Sequence, residues 1–321
     1  MADIILEAKN LKKYFPVKRK FFARHQGYVY AVDDVSFALG KGETFGLVGE
    51  SGCGKSTLAR TILRLIEPTN GEIIFEGQNI CKMTPEQMRR LRREMQIVFQ
   101  DPFASLNPRS KVGQIVGQSL EIHNIATGSQ KNEIVADLLE RVGMRADDAD
   151  RYPHAFSGGQ RQRIGIARAL ALRPKLVIGD EPVSALDVSI RAQVLNLMEN
   201  LKAEFNLSYI FISHDLGIIQ YISDRVGVMY LGKIVEIADS SDLYHHPFHP
   251  YTKALLAASP IPDPEIKKAR IILEGDVPSP IKPPSGCHFH TRCSVRNDRC
   301  KVDKPALKAV GPGHFVSCHL A

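Results

Sequence analysis

The chain has 321 residues, 44% of them hydrophobic and 24% charged, the balance of a globular protein with room for a sizeable core and two or three folding units. Net charge is +7, which suits an anionic ligand without requiring nucleic acid. No apolar run approaches the roughly 20 residues of a membrane span, and Met1-Ala2-Asp3-Ile4 lacks the basic start of a secretion signal, so a cytosolic protein that can still meet a membrane partner is the expectation.

Residues 3–10 and 28–39 read as short strands. The insert between them carries Lys12, Lys13, Lys18, Arg19, Lys20 and Arg24 among Phe15, Phe21 and Phe22. Such a stretch suits a solvated loop better than a patch for nucleic acid or anionic lipid. Gly40-Lys41-Gly42 turns into the apolar strand Thr44-Phe45-Gly46-Leu47-Val48. Next comes Gly49-Glu50-Ser51-Gly52-Cys53-Gly54-Lys55-Ser56-Thr57, and Leu58–Ile66 reads as a helix. A glycine, four residues and Gly-Lys-Ser between a strand and a helix is a phosphate-binding loop. Its bare N–H groups and the helix N-terminus make an anion site. Lys55 would reach the β- and γ-phosphates, and the Ser56 hydroxyl would hold Mg²⁺.

Thr84-Pro85-Glu86-Gln87 is a capping box that opens a basic helix running to about residue 94. Gln96-Ile97-Val98-Phe99 reads as a buried strand. From Gln100-Asp101-Pro102 to Arg163 the pattern is mainly helical, with a stripe at Ile134, Val135, Leu138, Leu139 and Val142 that Gly143 terminates. The spacing predicts a helical subdomain, about 101–163, inserted into an α/β core. Ser157-Gly158-Gly159-Gln160-Arg161 precedes a helix expected to start near Gln162, and forms a second anion site.

Arg163–Leu172 reads as helix, and Leu176-Val177-Ile178-Gly179 as a buried strand ending in Asp180 and Glu181. Open α/β sheets bind ligands at such strand ends. Asp180 can hold Mg²⁺ with Ser56, and Glu181 can orient or deprotonate an attacking water. Val188–Phe205 is a helix and Leu207–Ser213 a strand. Arg225–Tyr230 and Lys233–Ala238 form a hairpin around Leu231-Gly232. Strands alternating with helices predict an α/β fold with a mostly parallel sheet.

Beyond residue 245, His245, His246, Pro247, His249 and Pro250 lead into a short helix, Tyr251–Ser259. Prolines at 260, 262, 264, 278, 280, 283 and 284 impose an extended linker. Cys287, Cys293, Cys300 and Cys318 then crowd the end of the chain. In reducing cytosol these are not structural disulfides, and four thiolates suit Zn²⁺ or an iron–sulfur cluster.

Together these motifs resemble an ATP-binding cassette (ABC) ATPase over about residues 3–240. Phe156-Ser157-Gly158-Gly159-Gln160 resembles the family signature, with Phe156 where leucine is commonest. The resemblance implies a P-loop NTPase core with an antiparallel β subdomain and an inserted helical subdomain. It implies ATP and Mg²⁺ as ligands, held by Gly49, Ser51, Gly52, Cys53, Gly54, Lys55, Ser56 and Thr57. Gln100 takes the place of the glutamine that senses Mg²⁺ and water. Asp187, in Ser184-Ala185-Leu186-Asp187, belongs to a loop that crosses a dimer interface. His214 is the switch histidine that contacts the γ-phosphate. Tyr14 sits where an aromatic ring stacks on adenine, with Phe15 and Tyr28 as alternatives. Ser157, Gly158, Gly159 and Gln160 would close on ATP held by the facing subunit.

Val98–Arg109, Glu50–Lys55 and His249–Leu256 resemble the ATPases of oligopeptide and dipeptide importers, in particular the subunit often encoded second. That implies a cassette over 1–245 and a C-terminal extension over 246–321. It implies a paralogous ATPase as heterodimer partner, two membrane permease subunits and an extracellular or periplasmic solute-binding protein. It further implies a peripheral place on the cytoplasmic side of the cell membrane, and a [4Fe–4S] cluster, with Zn²⁺ as the alternative, on the four tail cysteines. Same-subfamily importers of nickel or another small solute are the alternative substrate class. A soluble ABC ATPase acting on nucleic acid or the ribosome is the alternative function.

Overall fold

The computed structural model describes residues 3–17, 27–258, 273 and 275–321. Lys18, Arg19, Lys20, Phe21, Phe22 and Arg24 of the basic insert lie outside the described residues, as do Pro260, Pro262 and Pro264. In chain order the elements are β1 (Ile4–Pro16), β2 (Tyr28–Gly40), β3 (Thr44–Val48), α1 (Lys55–Ile62), β4 (Asn70–Phe75), β5 (Gln78–Asn79), α2 (Pro85–Leu91), β6 (Met95–Val98), α3 (Val112–Ile122), α4 (Gly128–Arg141), α5 (Gly158–Leu170), β7 (Leu176–Asp180), α6 (Val188–Phe205), β8 (Ser208–Ile212), α7 (Leu216–Ile222), β9 (Arg225–Tyr230), β10 (Lys233–Asp239), α8 (Ser240–His245), α9 (Pro250–Ala258), α10 (Arg299–Val302), β11 (Lys308–Gly311) and β12 (His314–Val316). They divide into two compact units, Met1–Lys82 with Ser213–Ala321, and Met83–Ile212.

In the first unit, β2, β1, β4 and β5 form an antiparallel sheet in that order. β1 runs to Pro16, six residues past the expected strand, because it passes through register shifts around Asn10 and then pairs Pro16 with Tyr28. At the far end of this pair, Val17 N–H donates to Gly27 O. β3 is buried along its whole length, as a strand inside a sheet must be, and pairs parallel with β9. β9 and β10 form the expected hairpin, and β10 pairs with β12.

The C-terminal extension is thus part of this unit. Glu236 of β10 is fully buried and satisfied by the extension: its carboxylate accepts Phe248 N–H at 2.7 Å and His249 N–H at 3.0 Å. His314 of β12 places Nε2 2.8 Å from Glu236 and Nδ1 2.6 Å from Asp242 of α8. A buried carboxylate is tolerated only with such partners. Tyr230, Tyr251 and Phe289, each at most 1% exposed, pack their rings 4.7–5.4 Å apart and seal the joint.

In the second unit, β6, β7 and β8 pair in parallel, with Val98 opposite Gly179 and Asp180 opposite Ile212. α2 opens with the expected capping box, Thr84 Oγ accepting Gln87 N–H. Of the predicted stripe, α4 buries Val135, Leu138 and Leu139, Val142 is buried just past its end and Ile134 is half-buried; Gly143 follows with φ +74°. α5 begins at Gly158, four residues ahead of the expected start, because Ser157 is its N-cap: Ser157 Oγ accepts Gln160 N–H and Gln160 Oε1 accepts Ser157 N–H.

Candidate active site

The phosphate-binding loop leaves β3 and enters α1. Gly54 is the N-cap of α1 at φ +110°, and its missing side chain matters: a Cβ there would lie 2.0 Å from Ala31 O. No side chain caps α1 and no acidic residue lies in its first turn, so its N-terminal N–H groups favour an anion. Lys55 is 5% exposed, and its ammonium donates to Gly49 O at 2.7 Å and Glu50 O at 3.1 Å. Both partners are carbonyl dipoles, which a phosphate can outbid. Burial raises the pKa of the Cys53 thiol, so Cys53 sits in the loop as a neutral side chain.

Three contacts on this loop have no counterpart in the motif reading. Glu50 N–H donates to the Tyr251 hydroxyl at 2.9 Å, and the Arg292 guanidinium grips the Glu50 carboxylate at 2.8 and 3.2 Å. Gly232 N–H donates to Cys53 O at 2.9 Å. Only the residue types offered a signal for the Glu50–Arg292 pair: a carboxylate within a phosphate loop calls for a cation.

In the same unit, exposed His214 stands between β8 and α7, and Asp215 caps α7 by accepting Gly217 and Ile218 N–H. Tyr14 is half-buried; its hydroxyl donates to Asp33 Oδ1 at 2.5 Å and its ring meets Tyr30 edge-on at 4.7 Å. Tyr28, the other tyrosine expected near adenine, is 6.5 Å away and exposed, while Phe15 lies under the Lys13 ammonium.

The second unit brings together the residues expected to handle water. Asp180 ends β7 and is 2% exposed. Glu181 follows at φ +51°, its N–H held by Ile212 O and its carboxylate accepting Gln100 Nε2 at 3.0 Å. A non-glycine residue in left-handed backbone costs about 1–2 kcal/mol, a cost that marks functional sites. Ser184 N–H and Oγ both bond Glu181 O and brace this turn. Asp187 is the N-cap residue of α6 and is exposed. Gly159 is buried where a Cβ would meet Ile190 Cγ2 at 2.4 Å, while Ser157 and Gln160 face outward.

In the tail, Cys287 N–H donates to Cys300 O at 2.9 Å, and the Cys300 and Cys318 thiols lie near enough to Cys287 and Cys293 to help raise the pKa of those two. Burial is the larger cause, and it pushes Cys287 up to about 11. Among the described residues, no three His, Cys, Asp or Glu side chains converge tightly enough to hold a metal ion as they stand. Nor is any helix among them long and apolar enough to cross a membrane.

Residues 32–184 match the ABC transporter family, and residues 235–300 match the C-terminal region of oligopeptide/dipeptide transporters. The chain is 56% identical to the oligopeptide transport ATP-binding protein AppF of Bacillus subtilis (strain 168), over 99% of this chain and 98% of that protein. It is 50% identical to the probable peptide ABC transporter ATP-binding protein y4tS of Sinorhizobium fredii, over 100% of this chain and 91% of that one. Among solved structures it resembles the ATP-binding cassette MJ0796, a dimer in a post-hydrolysis state bound to ADP and Pi, with TM-score 0.66 and 25% identity over 74% of this chain and 99% of that one. It also resembles CbiO1 of Clostridium perfringens, part of an ABC transporter complex, with TM-score 0.64 and 26% identity over 76% of this chain and 92% of that one.

Proposed function

Since this chain belongs to the ABC transporter family, in its oligopeptide/dipeptide branch, we propose that it is the ATP-hydrolysing subunit that powers peptide import through a membrane permease. The observation that carries the chemistry is the Gln100–Glu181 pair at the end of β7, in a chain that also holds a complete phosphate loop. Lys55 and the loop N–H groups bind the β- and γ-phosphates. Ser56, Asp180 and Gln100 would hold Mg²⁺, which would offset phosphate charge. Glu181 orients the attacking water and accepts its proton, and His214 contacts the γ-phosphate. Tyr14 would stack on the adenine, with Phe15 and Tyr28 as alternatives.

Dimerisation completes the site. Ser157, Gly158, Gly159 and Gln160 grip ATP on the facing subunit, and Asp187 lies in the loop that crosses between subunits. We assign a paralogous ATPase as the facing subunit. The permease subunits take the motion from the helical subdomain (about 101–163), which places the chain at the cytoplasmic membrane surface. A solute-binding protein delivers the peptide. Co-purified with its permease, the chain is expected to show ATP hydrolysis stimulated by peptide. Failure to associate with a permease, or stimulation by nickel and not by peptide, would overturn the peptide reading.

Residues 246–321 carry the four-thiol set Cys287, Cys293, Cys300 and Cys318, to which we assign a [4Fe–4S] cluster, with Zn²⁺ as the alternative. By type the four thiols suit either: binding would displace their protons and draw the side chains together around the metal. The group would supply a covalent brace for the tail. Anaerobically purified protein should contain iron and sulfide; colourless protein with one zinc per chain would overturn the cluster.

A further inference from the structure

The loop that must bind a polyanion carries a carboxylate, Glu50, and a carboxylate there repels phosphate. The tail cancels it. Arg292, whose side chain is 8% exposed, forms a two-point bond to Glu50, which is itself 28% exposed. Such a planar fork fixes direction as well as charge. Tyr251 of α9 holds the Glu50 N–H on the same side. Behind them Tyr230, Tyr251 and Phe289 form a buried aromatic joint, so neither holder swings freely. The two holders come from the C-terminal extension, 201 and 242 residues beyond Glu50 in the chain.

We propose that Arg292 and Tyr251 are positioning residues for ATP binding: the C-terminal extension neutralises and aims Glu50, and so keeps the phosphate loop receptive to phosphate. The proposal rests on the reading of Gly49–Thr57 as the ATP site, and it assigns the extension a role in that site. Arg292 does not touch nucleotide; it acts through Glu50. Two signatures distinguish this from simple bracing. Losing Arg292 weakens ATP binding more than it slows turnover, and removing the Glu50 charge as well restores binding.

The test measures ATP affinity and melting temperature on the full-length chain, and KM and kcat on the importer assembled from it, all with MgATP. Arg292→Met is expected to raise Kd and KM about tenfold with kcat within about twofold, while R292K stays within about threefold. The double variant R292M/E50Q should return to within about threefold of wild type. Tyr251→Phe should weaken binding by about threefold. Wild-type ATP affinity in R292M, alongside lost binding in K55A, would overturn the clamp and leave the phosphate loop standing. Unchanged binding in K55A would instead overturn the loop reading itself. If R292M does not fold, the double variant decides: near-native affinity supports charge cancellation, and a tenfold loss refutes it.

Discussion

Glu181→Gln is the substitution most sharply constrained by the geometry. Glutamine has the shape of glutamate, and its carbonyl can still accept the Gln100 Nε2–H bond seen at 3.0 Å. The backbone, left-handed at φ +51° and tied to Ile212 O, is unaffected. What disappears is the charge and the basicity, so the expected loss is that of general-base help, about 10²–10⁴ in kcat, or roughly 3–5 kcal/mol of transition-state stabilisation. E181D keeps the base but withdraws it by one methylene, a displacement expected to cost on the order of 10²-fold. E181G removes the base and relieves the backbone, so it should match E181Q in inactivity while melting no lower than wild type, the relief being about 1–2 kcal/mol. Phosphate release by the assembled importer under saturating MgATP measures all three. Turnover in E181Q within about threefold of wild type would refute the assignment of Glu181 as the group that activates water.

The remaining predictions concern stability. His249 is 1% exposed, its Nδ1 accepts Tyr251 N–H at 3.1 Å, and burial drives its pKa down to about 3. The unfolded chain therefore binds a proton that the folded chain refuses, so this contribution is complete above the unfolded pKa of about 6.5 and is lost as pH falls from there towards 3, by up to about 1.4 kcal/mol per unit. Denaturant midpoints measured from pH 7 to pH 4 should fall less steeply in H249N, whose amide oxygen can still accept the bond; an unchanged slope would count against this. Gly54→Ala drives a Cβ to 2.0 Å from Ala31 O at φ +110°, whereas a Cβ added at Gly52, at φ +79°, would meet nothing within 4 Å. G52A should therefore cost only the left-handed strain of about 1–2 kcal/mol, and G54A at least about twice that; equal midpoint shifts would contradict the steric argument.

How much can be read from the chain depends on how local each feature is. The phosphate loop is legible because its chemistry sits in nine consecutive residues between a strand and a helix. The stripe on α4 and the β9–β10 hairpin follow from short-range periodicity and one Leu-Gly turn. The start of α5 is harder to place because Gly158-Gly159 looks like loop; the signal that fixes it is the capping box from Ser157 to Gln160, and the tight approach of Ile190 explains why glycine is kept inside a helix. α7 escapes the pattern although Asp215 caps it, since its seven residues are too few for a period to emerge. β11 is a four-residue strand paired with the adjacent β12, too short for alternation to show, while β4 and β12 are short strands held by partners distant in sequence, which pattern alone does not announce. Arg292 is illegible for the same reason: its partner lies 242 residues earlier.

In the proposed mechanism, ATP on Gly49–Thr57 is closed off by the signature segment of a facing subunit. A structure of the assembled importer carrying E181Q, with MgATP, tests it most directly. The expected structure has a nucleotide contacted by Lys55 on one side and by the opposing signature on the other, with Ser157–Gln160 doing the same for the second nucleotide. Bound ATP with those segments far apart would contradict it.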